Sequence, residues 1–271
     1  METRLAVYAL MEGYMKLESD QLIVLSFEGR TIQARFGPHP EVNGYPRLSI
    51  EFELIGKDLD LDSVEHLLDT IAGIFSVRKA GVRIIARSVR PAETPSFRPC
   101  VSPTVTVIAY ANTTSAELAP LLEKAFTTWR SGIDLETLNR AFAWYEKACF
   151  ETDLVSKFLD YWVALEVLSG LFRGDVPIEK CQECGRVLDS NRARLKAFLQ
   201  DLGMTDEERE ITGKNGLMNR RGKILHRGRS ELADKDIDDL KRILMTSIDR
   251  IIGSDRIGNR SVVANTIAPN T

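Results

Sequence analysis

A chain of 271 residues with 44% hydrophobic and 28% charged residues can bury one large core or two smaller ones, and two domains fit its patterning better. A formal net charge of -3 and a pI near 5.8 argue against a protein coated overall in nucleic acid, while leaving local basic patches open. The start, from Met1 to Glu12, has an early acid and too short an apolar run for a signal peptide, and no later stretch is long and apolar enough to span a bilayer.

The expected compartment is therefore the cytoplasm, with no membrane partner. There Cys100, Cys149, Cys181 and Cys184 are reduced thiols or metal ligands rather than a disulfide framework.

Residues 1–112 read as a β-rich sensing or scaffolding domain. Gln21 to Phe27, Thr31 to Phe36, Arg47 to Leu54, Val82 to Val89 and Val105 to Tyr110 are short, rich in β-branched or aromatic residues, and separated by Gly, Pro and Asn. Between them Val64, Leu67, Leu68, Ile71, Ile74 and Phe75 recur at helical spacing behind Asp60 and Asp62, which predicts a helix packed on a sheet. His39 and His66 are isolated, and each reads as a surface or loop histidine.

From Thr114 the pattern turns helical and stays so. A connecting helix occupies 113–133, with Leu118, Leu122, Phe126 and Trp129 on one face and Ser131-Gly132 at its end. The region 134–253 reads as a helical bundle, and 254–271 as a polar tail. The fold class is thus α+β.

In the bundle Asp134 caps a helix carrying Leu135, Leu138, Phe142, Tyr145 and Cys149. From about Asp153 to Phe172 the next helix is apolar nearly all round, as a central helix would be. Glu166 falls inside one of its apolar stripes, with Ser169 and Gly170 one turn on to allow close helix approach.

Cys181-Gln182-Glu183-Cys184 has the spacing of half a zinc knuckle, but a second pair is missing. A reduced, partly exposed thiol pair is the default, and structural zinc completed by distant residues or a second subunit is the alternative. Ser190 caps a helix closed by Gly203, and Thr205-Asp206-Glu207-Glu208 reads as a capping box. The last strong helix runs from about Asp236 to Ile252 and ends at Gly253.

The basic stretch from Asn219 to Gly228 combines the only histidine of the second half, His226, with Arg220, Arg221, Lys223 and Arg227. On an ideal helix Leu217, Met218, Ile224 and Leu225 lie within about 60° of Arg221, so this cation sits in an apolar stripe. A guanidinium there stays charged and needs a carboxylate or an anion. Glu166 is a carboxylate in the matching situation, and the two are expected to pair between packed helices. His226 lies about 140° from Arg221 on the same ideal helix, which favours a phosphate-handling site shared between two copies.

The run Lys157-Phe158-Leu159-Asp160-Tyr161-Trp162-Val163-Ala164-Leu165-Glu166-Val167-Leu168, followed by Arg221-Gly222-Lys223-Ile224-Leu225-His226-Arg227-Gly228, resembles the HEPN superfamily, particularly its ApeA-like branch. The resemblance covers about 134–253. It implies a helical bundle that homodimerises and acts as a metal-independent endoribonuclease, a toxin or defence effector, with no cofactor required for catalysis and with a regulatory protein as a further partner.

On this chain the resemblance assigns catalysis to Arg221, His226 and Glu166 and holds RNA with Arg220, Lys223, Arg227 and Asn219. Gly222 departs from the family pattern, in which a polar residue follows the arginine. The alternative is therefore a non-catalytic HEPN-like dimer that binds a partner protein, nucleotide or RNA.

Overall fold

The structure is a computed structural model, which describes residues 2–42, 45–57, 59–79, 81–92, 111–172, 174, 190–213, 215–227 and 232–253. Its first part is an antiparallel sheet of β1 (Thr3–Gly13), β3 (Gln21–Phe27), β4 (Arg30–Val42), β5 (Tyr45–Gly56) and β6 (Val82–Pro91), in the order β3-β4-β5-β1-β6. Two short strands, β2 (Met15–Lys16) and β7 (Ala111–Asn112), pair in parallel beside it. The strand expected at Val105 to Tyr110 and the tail 254–271 lie outside the described residues.

The sequence reading misses β1, although β1 lies between β5 and β6 inside the sheet. Val7, Ala9, Leu10 and Met11 are at most 2% exposed, so both faces are covered in the middle of the strand, and the outer face opens only towards Tyr8 and Ala6. Such a strand reads as an unbroken apolar run and lacks the alternation that marks a half-exposed one. The β3–β4 turn is a two-residue loop in which Glu28 and Gly29 both adopt positive φ, 50° and 73°, the conformation that matches the twist of the flanking strands.

Helix α1 (Leu61–Lys79) follows β5, with the Asp60 carboxylate accepting from the Ser63 backbone N–H at 2.6 Å. Its buried residues include Val64, Leu67, Leu68, Ile71, Ile74 and Phe75, and from Thr70 to Val77 every residue is buried, while Glu65 and Asp69 keep an exposed polar edge in the first half. One side lies on the sheet, where Phe36 stacks on Phe75 at 6.0 Å. The other receives α2 (Ser115–Arg130) and α3 (Leu135–Phe150). The chain changes from strand to helix between Ala111 and Ser115.

Helix α2 lies on α1 and β3, and its Trp129 indole N–H donates to the Ser63 carbonyl at 2.8 Å. The contact of α1 with α3 then joins sheet and bundle. At that crossing Gly73 faces Phe142, and a Cβ on Gly73 would fall 2.1 Å from the ring. The close approach expected at Ser169 and Gly170 is made here instead, since a Cβ at Gly170 would rest in ordinary contact 3.6 Å from Thr137.

Helix α4 (Leu154–Leu168) starts at Asp153, which accepts from the Ser156 N–H at 2.8 Å, and passes into a 3-10 turn at Ser169–Leu171. As expected of a central helix, Phe158, Tyr161, Trp162, Leu165 and Leu168 are buried, and α3 and α8 (Asp234–Ile252) pack on it. Cys149 sits between α3 and α4 with its Sγ 3.6 Å from the Tyr161 hydroxyl, and burial pushes its thiol pKa up. It is a core thiol.

Among the described residues the remaining helices are α5 (Ser190–Asp201), α6 (Thr205–Thr212) and α7 (Leu217–Arg227). The capping box expected at Thr205 to Glu208 does not form. The N-cap of α6 is Met204, whose side chain fills the core beside Ser247. The Glu208 carboxylate turns forward instead and accepts from the Thr212 hydroxyl at 2.5 Å. No described helix is long and apolar enough to cross a membrane.

Two predictions follow from the α1–α3 crossing. Gly73→Ala forces Phe142 out of place and should lower the free energy of unfolding by about 1–3 kcal/mol in urea melts. Glu146 of α3 is also set against the sheet edge. Burial pushes its carboxyl from an ordinary 4.5 up to about 7, Arg83 opposes the rise, and Asp69 and Glu12 add to it.

The folded state thus holds this proton more tightly than the unfolded chain does. Its stabilising contribution is fully present below about 4.5 and is lost as pH rises through about 7. Glu146→Gln should therefore melt higher than the native protein at pH 8, with the gap shrinking towards pH 5.

Candidate functional site

Gly213 and Gly216 separate α6 from α7, and a Cβ at either would collide with backbone oxygens at 2.5 and 2.6 Å. The chain turns here, with the Gly216 N–H donating to the Gly213 carbonyl at 2.9 Å and the Asn219 N–H to the Gly216 carbonyl at 3.0 Å. This turn sends α7 back past α4. Leu217 is buried at its start, but Leu225 is 49% exposed, so only part of the expected apolar stripe faces the core.

Arg221 meets Glu166, as the two stripes require. Its Nη2 lies 3.4 Å from Glu166 Oε1. The side chains are 30% and 23% exposed, so the pair is half-buried rather than buried as the stripes suggested. Trp162, one turn before Glu166 on α4, forms the wall behind it. The guanidinium carbon stands 6.0 Å from the centre of the Trp162 ring, which is itself backed by Phe158 at 6.2 Å.

Arg221 Nε is shielded from solvent and has no hydrogen-bond partner. A guanidinium with one edge on a carboxylate and another donor unused is suited to receive an anionic oxygen.

Arg220 points the other way. Its Nη1 donates to Asp236 Oδ2 at 2.5 Å, and the same oxygen accepts from the Ala233 N–H at 2.9 Å at the start of α8. Asp236 is 5% exposed. Arg220, a residue expected to hold an RNA backbone, fastens α7 to α8 and keeps its side chain 40% exposed. Consecutive residues on a helix are about 100° apart, which lets these two arginines serve different neighbours.

Asn219 and Lys223 are exposed on α7. His226 and Arg227 lie in the last turn of α7. Cys181 and Cys184 lie outside the described residues. Among the described residues no group of three or more His, Cys, Asp or Glu side chains could hold a metal ion.

Two neighbours were not recognised from sequence as parts of this site. Trp162 carried a signal, since it and Glu166 are four residues apart and share a face. Asp236 carried none beyond its place near a helix start. A shallow pocket of about 320 Å³ adjoins Arg220 and Asp236 between α6, α7 and α8. The larger cleft, about 610 Å³, lies on the sheet, away from the Glu166–Arg221 pair.

Comparison with protein-family models, with curated proteins and with solved structures finds no match to this chain.

The two ion pairs should separate in a stability measurement. Half-exposed Glu166 and Arg221 should show a coupling energy below about 1 kcal/mol in a double-mutant cycle. Asp236→Ala, which removes a cap and a buried partner, should cost about 1–2 kcal/mol in the same urea titration.

Proposed function

We propose that this chain is a HEPN-type metal-independent endoribonuclease, used as a toxin or defence effector and acting as a homodimer through its bundle. The observation that carries the reading is the contact of Arg221 with Glu166 across α7 and α4. It joins the two motif segments on which the family resemblance rests, some fifty residues apart in sequence. Leu225, a large apolar side chain left exposed on α7, supports a face available to a second copy.

In this mechanism the ribose 2′-hydroxyl attacks the adjacent phosphorus. The P–O5′ bond breaks, leaving a 2′,3′-cyclic phosphate and a 5′-hydroxyl. His226 accepts the proton of the attacking hydroxyl or donates one to the leaving oxygen, a task for which an imidazole, able to give or take a proton, is suited. Arg221 neutralises charge growing on the non-bridging oxygens, and its unused Nε donor is available for that contact. Glu166 and the Trp162 ring hold the guanidinium in place. Lys223, Arg227 and Asn219 hold the RNA backbone.

A second reading, a non-catalytic dimer that binds a partner protein, nucleotide or RNA, is favoured by Gly222. A Cβ at this position would meet nothing within 4 Å. Packing therefore does not demand a glycine, and the polar residue the family pattern places here would fit.

The test is cleavage of end-labelled RNA by the purified chain in EDTA, with end-group analysis. The nuclease predicts cyclic-phosphate ends. His226→Ala should reduce their formation by about 100- to 10,000-fold, Arg221→Ala should also lose activity, and Gly222→Asn should keep the fold. RNA binding without cleavage by the native dimer would transfer the conclusion to the binding module.

A further inference from the structure

We propose that the outer face of the sheet is a binding site for a small phosphate ester of mononucleotide size, with Arg35 and Arg90 taking the phosphate. This does not depend on the nuclease reading. Strand alternation turns Arg35 of β4, Glu51 and Glu53 of β5, Ala6 and Tyr8 of β1, and Arg90 of β6 away from α1.

The register sets them in two rows. Arg35 is opposite Glu51 and Glu51 opposite Tyr8, while Glu53 is opposite Ala6 and Ala6 opposite Arg90. The small side chain of Ala6 leaves the middle of the face low. These residues line the cleft of about 610 Å³, a size typical of small-molecule sites.

The other charged groups around the cleft are already engaged, Glu51 opposite Arg35 among them. Arg30 donates to Glu2 at 2.6 Å and to the Ile55 carbonyl at 2.8 Å. Arg130 lies 3.4 Å from Glu28 and stacks over Trp129. Glu53 is held by Arg4 at 2.6 and 2.9 Å.

Arg35 and Arg90 are different, since neither makes an ion pair or side-chain hydrogen bond with another described residue. Arg90 Nη1 is shut off from solvent with no acceptor at all. A shielded guanidinium donor without an acceptor is costly, and an anionic oxygen removes that cost.

Three inter-strand spacings and a two-residue offset along the strands separate Arg35 from Arg90, roughly 16 Å in all. Two arginine side chains leaning inward from that separation can share one tetrahedral anion, whose oxygens match the guanidinium fork. The cleft is larger than a bare phosphate needs. Tyr8 and the exposed Leu22 also line it, and they face the organic part of the ligand.

The experiment is calorimetric titration of the full chain with adenosine 5′-monophosphate, ribose 5-phosphate and adenosine. The two phosphate esters should bind, and adenosine should be weaker by about tenfold or more, the loss of a charge-assisted contact. The double substitution Arg35→Gln with Arg90→Gln should weaken the monophosphate by about tenfold or more.

Arg35→Ala alone changes an exposed side chain, so it should retain the native melting temperature and still weaken binding. Arg242→Ala, which removes a cation of α8 paired with Glu210, should leave the affinity unchanged, which separates a built site from a general charge effect. Equal binding of adenosine, absence of binding by both phosphate esters, equal loss in Arg242→Ala, or binding of oligonucleotides alone would each overturn the proposal.

Discussion

From Thr70 to Val77 helix α1 has no face that tolerates water, and that constraint arranges the molecule. Its first half keeps a polar edge at Glu65 and Asp69, but the second half needs cover on both sides at once. The sheet supplies one cover, while α2 and α3 supply the other. Gly73 sets how near α3 can come. Because α3 in turn packs on α4, the position of Glu166 traces back through two helix contacts to the sheet. The apolar core is correspondingly continuous from the strands into the bundle.

The two neighbouring arginines of α7 divide the work of holding that helix and facing solvent. Arg220 reaches a buried aspartate that also caps α8, an arrangement whose loss strands a buried charge. Arg221 reaches a half-exposed glutamate, where solvent screening leaves little net stabilisation. A contact worth so little to the fold, yet built against an aromatic wall and with a donor left over, is better explained by what it presents than by what it stabilises.

How much of this was legible follows from which physics was local. Helices α3, α4 and α8 announce themselves through spacing and caps, because each signal lies within a few residues. The Glu166–Arg221 contact was readable for a different reason: both are charges in apolar stripes, and each implies a missing partner. The central strand β1 was not readable, since burial on both faces removes the alternation.

Thr205 looked like a cap because the local pattern ignores the tertiary pull on Met204, which the core takes instead. The partner of Arg220 and the rows on the outer sheet face depend on chain reversal and register. Neither is encoded within any short window.

The place of β1 has a cost during synthesis. Its ladder partners come much later in the chain, from Arg47 opposite Glu12 at the nearest to Pro91 opposite Leu5 at the farthest. At about 5–20 residues per second, the run Leu5 to Met11 leaves the ribosome seconds before either neighbouring strand exists. During that interval it is a naked apolar strand with both edges open, the kind of segment that pairs with other chains. Any delay in making β5 and β6 lengthens that exposure, however stable the finished protein is.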